Sequence, residues 1–192
     1  PIIEIFEGGW PWILVWPIGF LWACFSLNTR WGVWAFSTQI IIAGSVLPLK
    51  MQLPWYIHPF WLPFALLCAP PVSWLIQRKE NDYLLARKIL SKIPYILSFI
   101  GFCLLVFSLL IKLNILNFGE DYFNMVFFIS LGWFMGGLLL SNSRKNIRKV
   151  GFIGMIFGSI IGLLFFVSSK FWLWEINENW DVRPVAEFIS DF

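Results

Sequence analysis

The sequence predicts an all-α fold, a polytopic transmembrane helix bundle of about six spans that leads into an extracytoplasmic segment. Three observations predict it. Of 192 residues, 59% are hydrophobic and 13% charged, with a mean hydropathy of +0.75, whereas soluble domains carry about 25% charged residues. Six apolar runs of roughly 17 to 22 residues are each long enough to cross a hydrocarbon core of about 30 Å as a helix. The basic residues between those runs alternate in abundance, as expected when Lys and Arg near helix ends stay on the cytoplasmic side.

Taken in order, the runs cover residues 10–26, 31–49, 59–76, 94–113, 122–140 and 150–168. One side of the membrane receives Arg30, then Arg78, Lys79, Arg87, Lys88 and Lys92, then Arg144, Lys145, Arg148 and Lys149. The other receives Lys50, Lys112, Lys170 and Arg183, together with Glu4, Glu7, Glu120, Asp121 and the acidic stretch "EINENWD". Ten basic residues against four, in alternating loops, favour six spans over five or seven. Residues 1–9, the loop 50–58 and the C-terminal tail are therefore expected to be exoplasmic, and loops 77–93 and 141–149 cytoplasmic. Such a protein is an integral membrane protein, most simply of a bacterial inner membrane.

Within the loop 77–93, Leu85, Ile89 and Ile93 oppose Arg87, Lys88 and Lys92, the pattern of a helix lying on an anionic leaflet. Gly132 and Gly136 in the fifth run, and Gly154, Gly158 and Gly162 in the sixth, recur every four residues. Small faces of this kind let helix backbones approach, so these two helices are expected to pack together, with a dimerisation face as the alternative. The 13 tryptophans lie mostly near span ends, where an interfacial belt accounts for them; Trp133, nearer mid-span, reads as packing. Cys24, Cys68 and Cys103 lack CxxC spacing and read as small buried hydrophobes, with no metal site and no disulfide framework. A net charge of +3 without a basic stripe excludes nucleic-acid binding. After the sixth run, Asp181 caps an expected helix with Pro184 in its first turn and Val182, Val185, Ala186 and Ile189 on one face. Residues 1–170 thus form a transmembrane domain, and 171–192 a junction to a soluble exoplasmic domain expected beyond the C-terminus; the opening on Pro1 likewise suggests a longer polypeptide.

The stretch "KMQLPWYIHPFWLP", residues 50–63, holds a lysine, a tyrosine, the single histidine and three prolines between two apolar runs. Pro54, Pro59 and Pro63 interrupt or start helical structure. Broken backbone at membrane depth is tolerated only against protein or a wet cavity, so the stretch is expected to line a cavity at the exoplasmic surface. There Lys50, Tyr56 and His58 offer an ammonium, a hydroxyl and an imidazole at one level, a set suited to a lipid phosphate. The plainer readings are snorkelling for Lys50, belt for Tyr56 and a structural role for His58.

Pro11 and Trp12 opening a helix, Arg30 in a short basic loop, and then Lys50, Leu53, Pro54, Tyr56, Pro59, Pro63, Ala65 and Leu66 in order resemble the polytopic, GT-C type glycosyltransferases that use polyprenyl-phosphate sugars, the group of protein O-mannosyltransferase-like and lipid A aminoarabinose transferase-like enzymes. The resemblance covers residues 1 to about 76 and 171–192, where "NENWDVRPVAEFI" looks like the junction to a periplasmic domain. Gln52 stands where many relatives carry a basic residue, and His58 where an aliphatic one is usual. The resemblance implies a polyprenyl-phosphate-linked sugar as donor, no other cofactor, and an acceptor lipid, glycan or protein. It also implies a carboxylate general base in a first exoplasmic loop, expected upstream of Pro1, and a lipid-phosphate contact by Lys50 first, Tyr56 second and His58 third. Glu4 and Glu7 are read as structural, since they lie beside the Pro-Trp helix and not in that loop. The competing readings are a multi-pass transporter, or an assembly or lipid-binding subunit without chemistry. Transport is disfavoured by the absence of internal repeats and of strongly polar groups at mid-span; the spans offer weakly polar groups such as Ser37, Thr38 and Gln39, toward the cytoplasmic part of the second run.

Overall fold

The computed structural model describes residues 5, 8–46, 48, 58–78, 88–113, 115 and 120–169, apart from the side chains of Glu120 and Asp121. Among them the structure is all-α: α1 (Trp16–Phe25), α2 (Arg30–Val46), α3 (His58–Gln77), α4 (Ile93–Lys112), α5 (Glu120–Leu140) and α6 (Lys145–Val167). Four stretches are long and apolar enough to cross a membrane: His58–Gln77, Lys88–Lys112, Tyr122–Leu140 and Lys145–Val167. The chain divides into two compact units, one of Pro1–Leu97 with Leu140–Lys149, the other of Ser98–Leu139 with Val150–Phe192.

The first two expected spans are shorter than the sequence suggests. Run 10–26 becomes a 3₁₀ turn at Trp12–Leu14 followed by the ten residues of α1, about 15 Å of helix. Pro17, in the first turn of α1, has no N–H to give the carbonyl of Ile13, so a continuous ladder cannot pass through it. α2, at 17 residues, reaches about 26 Å. Its start is fixed by Thr29, whose Oγ1 accepts from Gly32 N–H at 3.0 Å and donates to the Ser26 carbonyl at 2.7 Å, a side-chain N-cap.

In the first unit α1, α2 and α3 pack on one another. Ala23, Ala35 and Leu67 form the buried centre, with Trp16, Phe20, Trp31 and Phe36 against them. The closest approach is that of α1 to α3. A Cβ on Gly19 would fall on the Leu67 carbonyl oxygen, and would stand 2.6 Å from the carbonyl carbon. Residue 71 is proline, so the Leu67 carbonyl lacks its usual i+4 helical donor, and that oxygen is what Gly19 packs against.

At the far end of α3, two arginines gather helix C-termini. Arg148, 3% exposed, donates from Nε to the Ile76 carbonyl at 2.8 Å and from a terminal nitrogen to the Gln77 carbonyl at 3.2 Å. Its other terminal nitrogen donates to the carbonyls of Asn142, at 3.0 Å, and Ser143. Arg78 crosses the other way, with one terminal nitrogen 3.4 Å from the carbonyls of Leu140 and Ser141. The last carbonyls of a helix have no partner within it and carry partial negative charge, so a guanidinium fork suits them. In the sequence both residues read only as cytoplasmic charge.

In the second unit the expected packing of α5 on α6 is present, with one glycine exchanged. A Cβ on Gly132 would stand 2.9 Å from the Gly158 Cα, one on Gly136 2.8 Å from the Gly151 carbonyl oxygen, and one on Gly162 2.9 Å from that of Met125. Gly154 would meet nothing within 4 Å. At about 100° per residue, 151, 158 and 162 share an arc of about 40°, while 154 lies about 60° from 151; a strict four-residue repeat drifts off the seam. Trp133 does more than fill space, since its Nε1 donates to Ser159 Oγ at 3.0 Å. On the other flank of α5, Ser98 Oγ donates to the Phe134 carbonyl at 3.2 Å, and Gly101 faces the Phe134 backbone.

Two smaller expectations change. Cys68 is buried, but Cys24 is half-buried and Cys103 exposed, so they are not three core thiols. Ahead of α4, Leu90 and Ile93 are buried while Ile89 is 47% exposed, so Ile93 does not share one exposed face with Ile89. Leu85 and Arg87 lie outside the described residues, as does the junction 171–192.

Candidate functional site

Pairings along the first unit show that α1 and α3 run the same way and α2 runs against them. Trp16 stacks on Phe64 with ring centroids 6.1 Å apart and lies 6.2 Å from Phe60, and Gly19 meets Leu67 further along. Across α1 and α2, Trp16 meets Gln39 and Phe20 meets Phe36 at 5.5 Å. The start of α1, the C-terminal half of α2 and the start of α3 therefore lie toward one end. Residues 47–57, which contain Lys50 and Tyr56, join α2 to α3 there by covalent connectivity alone; both residues lie outside the described part of the structure.

His58 is the first residue of α3 and is exposed. The sequence expects Pro59 and Pro63 to start or interrupt helix; Pro59 does the former and Pro63 does neither. Pro59 occupies the first turn, where a missing N–H costs nothing, and the helix continues through Pro63. Residues 58–63 are thus regular helix and not broken backbone. The amides of a helix's first turn favour an anion, and His58 stands at that turn.

Just inside lies an aromatic wall of Trp16, Phe60, Trp61 and Phe64, with Trp61 edge-on to Phe64 at 5.4 Å. Gly8 and Gly9 allow the preceding segment to lie against it, the former over the Trp61 ring and the latter near Phe64. Among these, sequence reasoning placed Trp16 and Trp61 in an interfacial belt and missed their packing on Phe60 and Phe64. It also underrated Gln39, which is 2% exposed and accepts from Trp16 Nε1 at 3.3 Å, leaving its own Nε2 without a partner. An amide in an otherwise apolar helix was the available signal, because such a group is costly unless bonded.

Chemically, this end combines an apolar aromatic wall with a helix start that favours negative charge. Among the described residues no group of three or more His, Cys, Asp or Glu side chains is placed to hold a metal ion. Comparison with known proteins adds no family: no protein-family model, curated protein or solved structure matches the chain.

Proposed function

We propose that the chain belongs to a membrane glycosyltransferase that moves a sugar from a polyprenyl-phosphate donor to an acceptor on the exoplasmic side. The observation that carries this reading is the order Lys50, Leu53-Pro54, Tyr56, His58, Pro59 and Pro63, which runs from the segment after α2 into the first turns of α3. In this reading the ammonium of Lys50 meets the departing lipid phosphate, where negative charge accumulates as the glycosidic bond breaks. Tyr56 and His58 add hydrogen bonds at the same level, and the aromatic wall receives the first isoprene units. A carboxylate elsewhere in the enzyme removes the proton of the acceptor hydroxyl as it attacks the anomeric carbon. The alternating charge of the loops supports counting α1 and α2 as the first two of six crossings, with residues 50–58 exoplasmic.

Purified full-length protein in vesicles, given a radiolabelled polyprenyl-phosphate sugar, is expected to transfer label to an acceptor. Uptake without transfer would make the chain a transporter, and binding alone an assembly subunit. Lys50→Ala is expected to slow transfer by about 10- to 150-fold, the equivalent of about 1.5–3 kcal/mol for a hydrogen bond to a charged group, with unchanged expression. Wild-type turnover in that variant would remove Lys50 from the site.

A further inference from the structure

The corner where α3 ends gathers two arginines, a feature independent of the glycosyltransferase reading. Arg148 is largely committed there, four of its five N–H groups being spent on carbonyls. Arg78 is not. Its two contacts are long, both 3.4 Å, and its Nε is buried with no partner. Four residues earlier on α3, the Nε1 of Trp74, a side chain 7% exposed, is also buried without a partner. The two guanidinium groups converge on the carbonyls of the turn 140–143.

The backbone sharpens the point. Arg78 has φ of 46°, the left-handed conformation in which helices commonly end on glycine. A side chain held at a position that suits glycine points to a use for that side chain. Arg78 is half-buried, and the exposed Arg144, Lys145 and Lys149 follow α5.

We propose that Arg78 binds a phosphate oxyanion, its guanidinium exchanging two weak carbonyl contacts for a two-pronged grip through Nε and a terminal nitrogen, with Arg148 supplying the second positive charge. The fork geometry of arginine matches two phosphate oxygens. The oxyanion comes from an anionic lipid headgroup or from free phosphate, and the two share this chemistry.

The test uses the full-length protein in nanodiscs of phosphatidylcholine alone, or with phosphatidylglycerol, and in neutral detergent with inorganic phosphate against chloride of equal ionic strength. At least one of the two probes is expected to raise the melting temperature of the wild type by about 3 °C or more. Arg78→Gly should abolish that rise while melting no lower than wild type in phosphatidylcholine, because glycine relieves the left-handed backbone. Arg78→Lys, which keeps charge but not the fork, should lose most of it, and provides the same reading should the glycine variant fail to fold. Lys145→Gln/Lys149→Gln should retain it. A response to phosphatidylglycerol alone assigns the oxyanion to lipid, and a response to inorganic phosphate assigns it to the free ion. The proposal is overturned if the wild type responds to neither probe, if both Arg78 variants respond as it does, or if the double lysine variant removes the response entirely.

Discussion

Arg148→Ala is expected to be among the most destabilising substitutions in the chain. The guanidinium serves carbonyls of Ile76, Gln77, Asn142 and Ser143 from a site 3% exposed, so its removal strands the last turn of α3 and the turn before α6 together. A hydrogen bond to a charged group contributes about 1.5–3 kcal/mol. Four bonds from one group do not add, because they share a single desolvated charge and the freed carbonyls partly turn to water, so a loss of about 4 kcal/mol is expected. Arg148→Lys should recover a minor part of this, since an ammonium is a point donor and cannot span four carbonyls. Chemical unfolding of the purified protein in mild detergent measures both variants; an alanine variant as stable as wild type would show that the carbonyls are satisfied without Arg148.

The contrast between what could and could not be read in advance follows from the range of the signals. Hydropathy is a property of consecutive residues, so the four long helices are legible in the sequence to within a few positions. Proline acts one turn back along the chain, and the shortening of α1 at Pro17 is recoverable from the same local rule. The glycine seam of α5 and α6 is legible as a pattern, yet the choice of Gly151 over Gly154 depends on accumulated helical phase over several turns. Arg148 was invisible because its partners lie about 70 residues away, on Ile76 and Gln77, and nothing in "NIRKV" distinguishes a capping arginine from a cytoplasmic one. Gln39 stands between these cases. Its polarity is evident, but its bond to Trp16 needs the antiparallel pairing of α1 with α2. The candidate site is legible chiefly as composition, since Lys50 and Tyr56 lie outside the described residues and His58 alone takes a defined place, at the head of α3.

Gly19→Val carries the other large expected effect, and it separates two kinds of glycine that look alike in sequence. At Gly19 an added Cβ would run into the carbonyl of Leu67 and stand 3.4 Å from its Cα, so backbone, not a yielding side chain, blocks it. Relief requires α1 to lift from α3, which opens the packing around Ala23, Ala35 and Leu67 and parts Trp16 from Phe64. Overpacking a close-packed contact costs about 1–3 kcal/mol; valine adds its branch to that, so Gly19→Ala is expected near the top of that range and Gly19→Val beyond it. Trimming Leu67 to alanine should not rescue either variant, since the obstacle is its main chain. Gly154→Ala, by contrast, meets open space and should be neutral or stabilise by about 0.5–1 kcal/mol through helix propensity. Thermal unfolding of the three variants in one detergent tests the ordering, and equal stability of Gly19→Ala and Gly154→Ala would mean that α1 does not seat on α3 through this carbonyl.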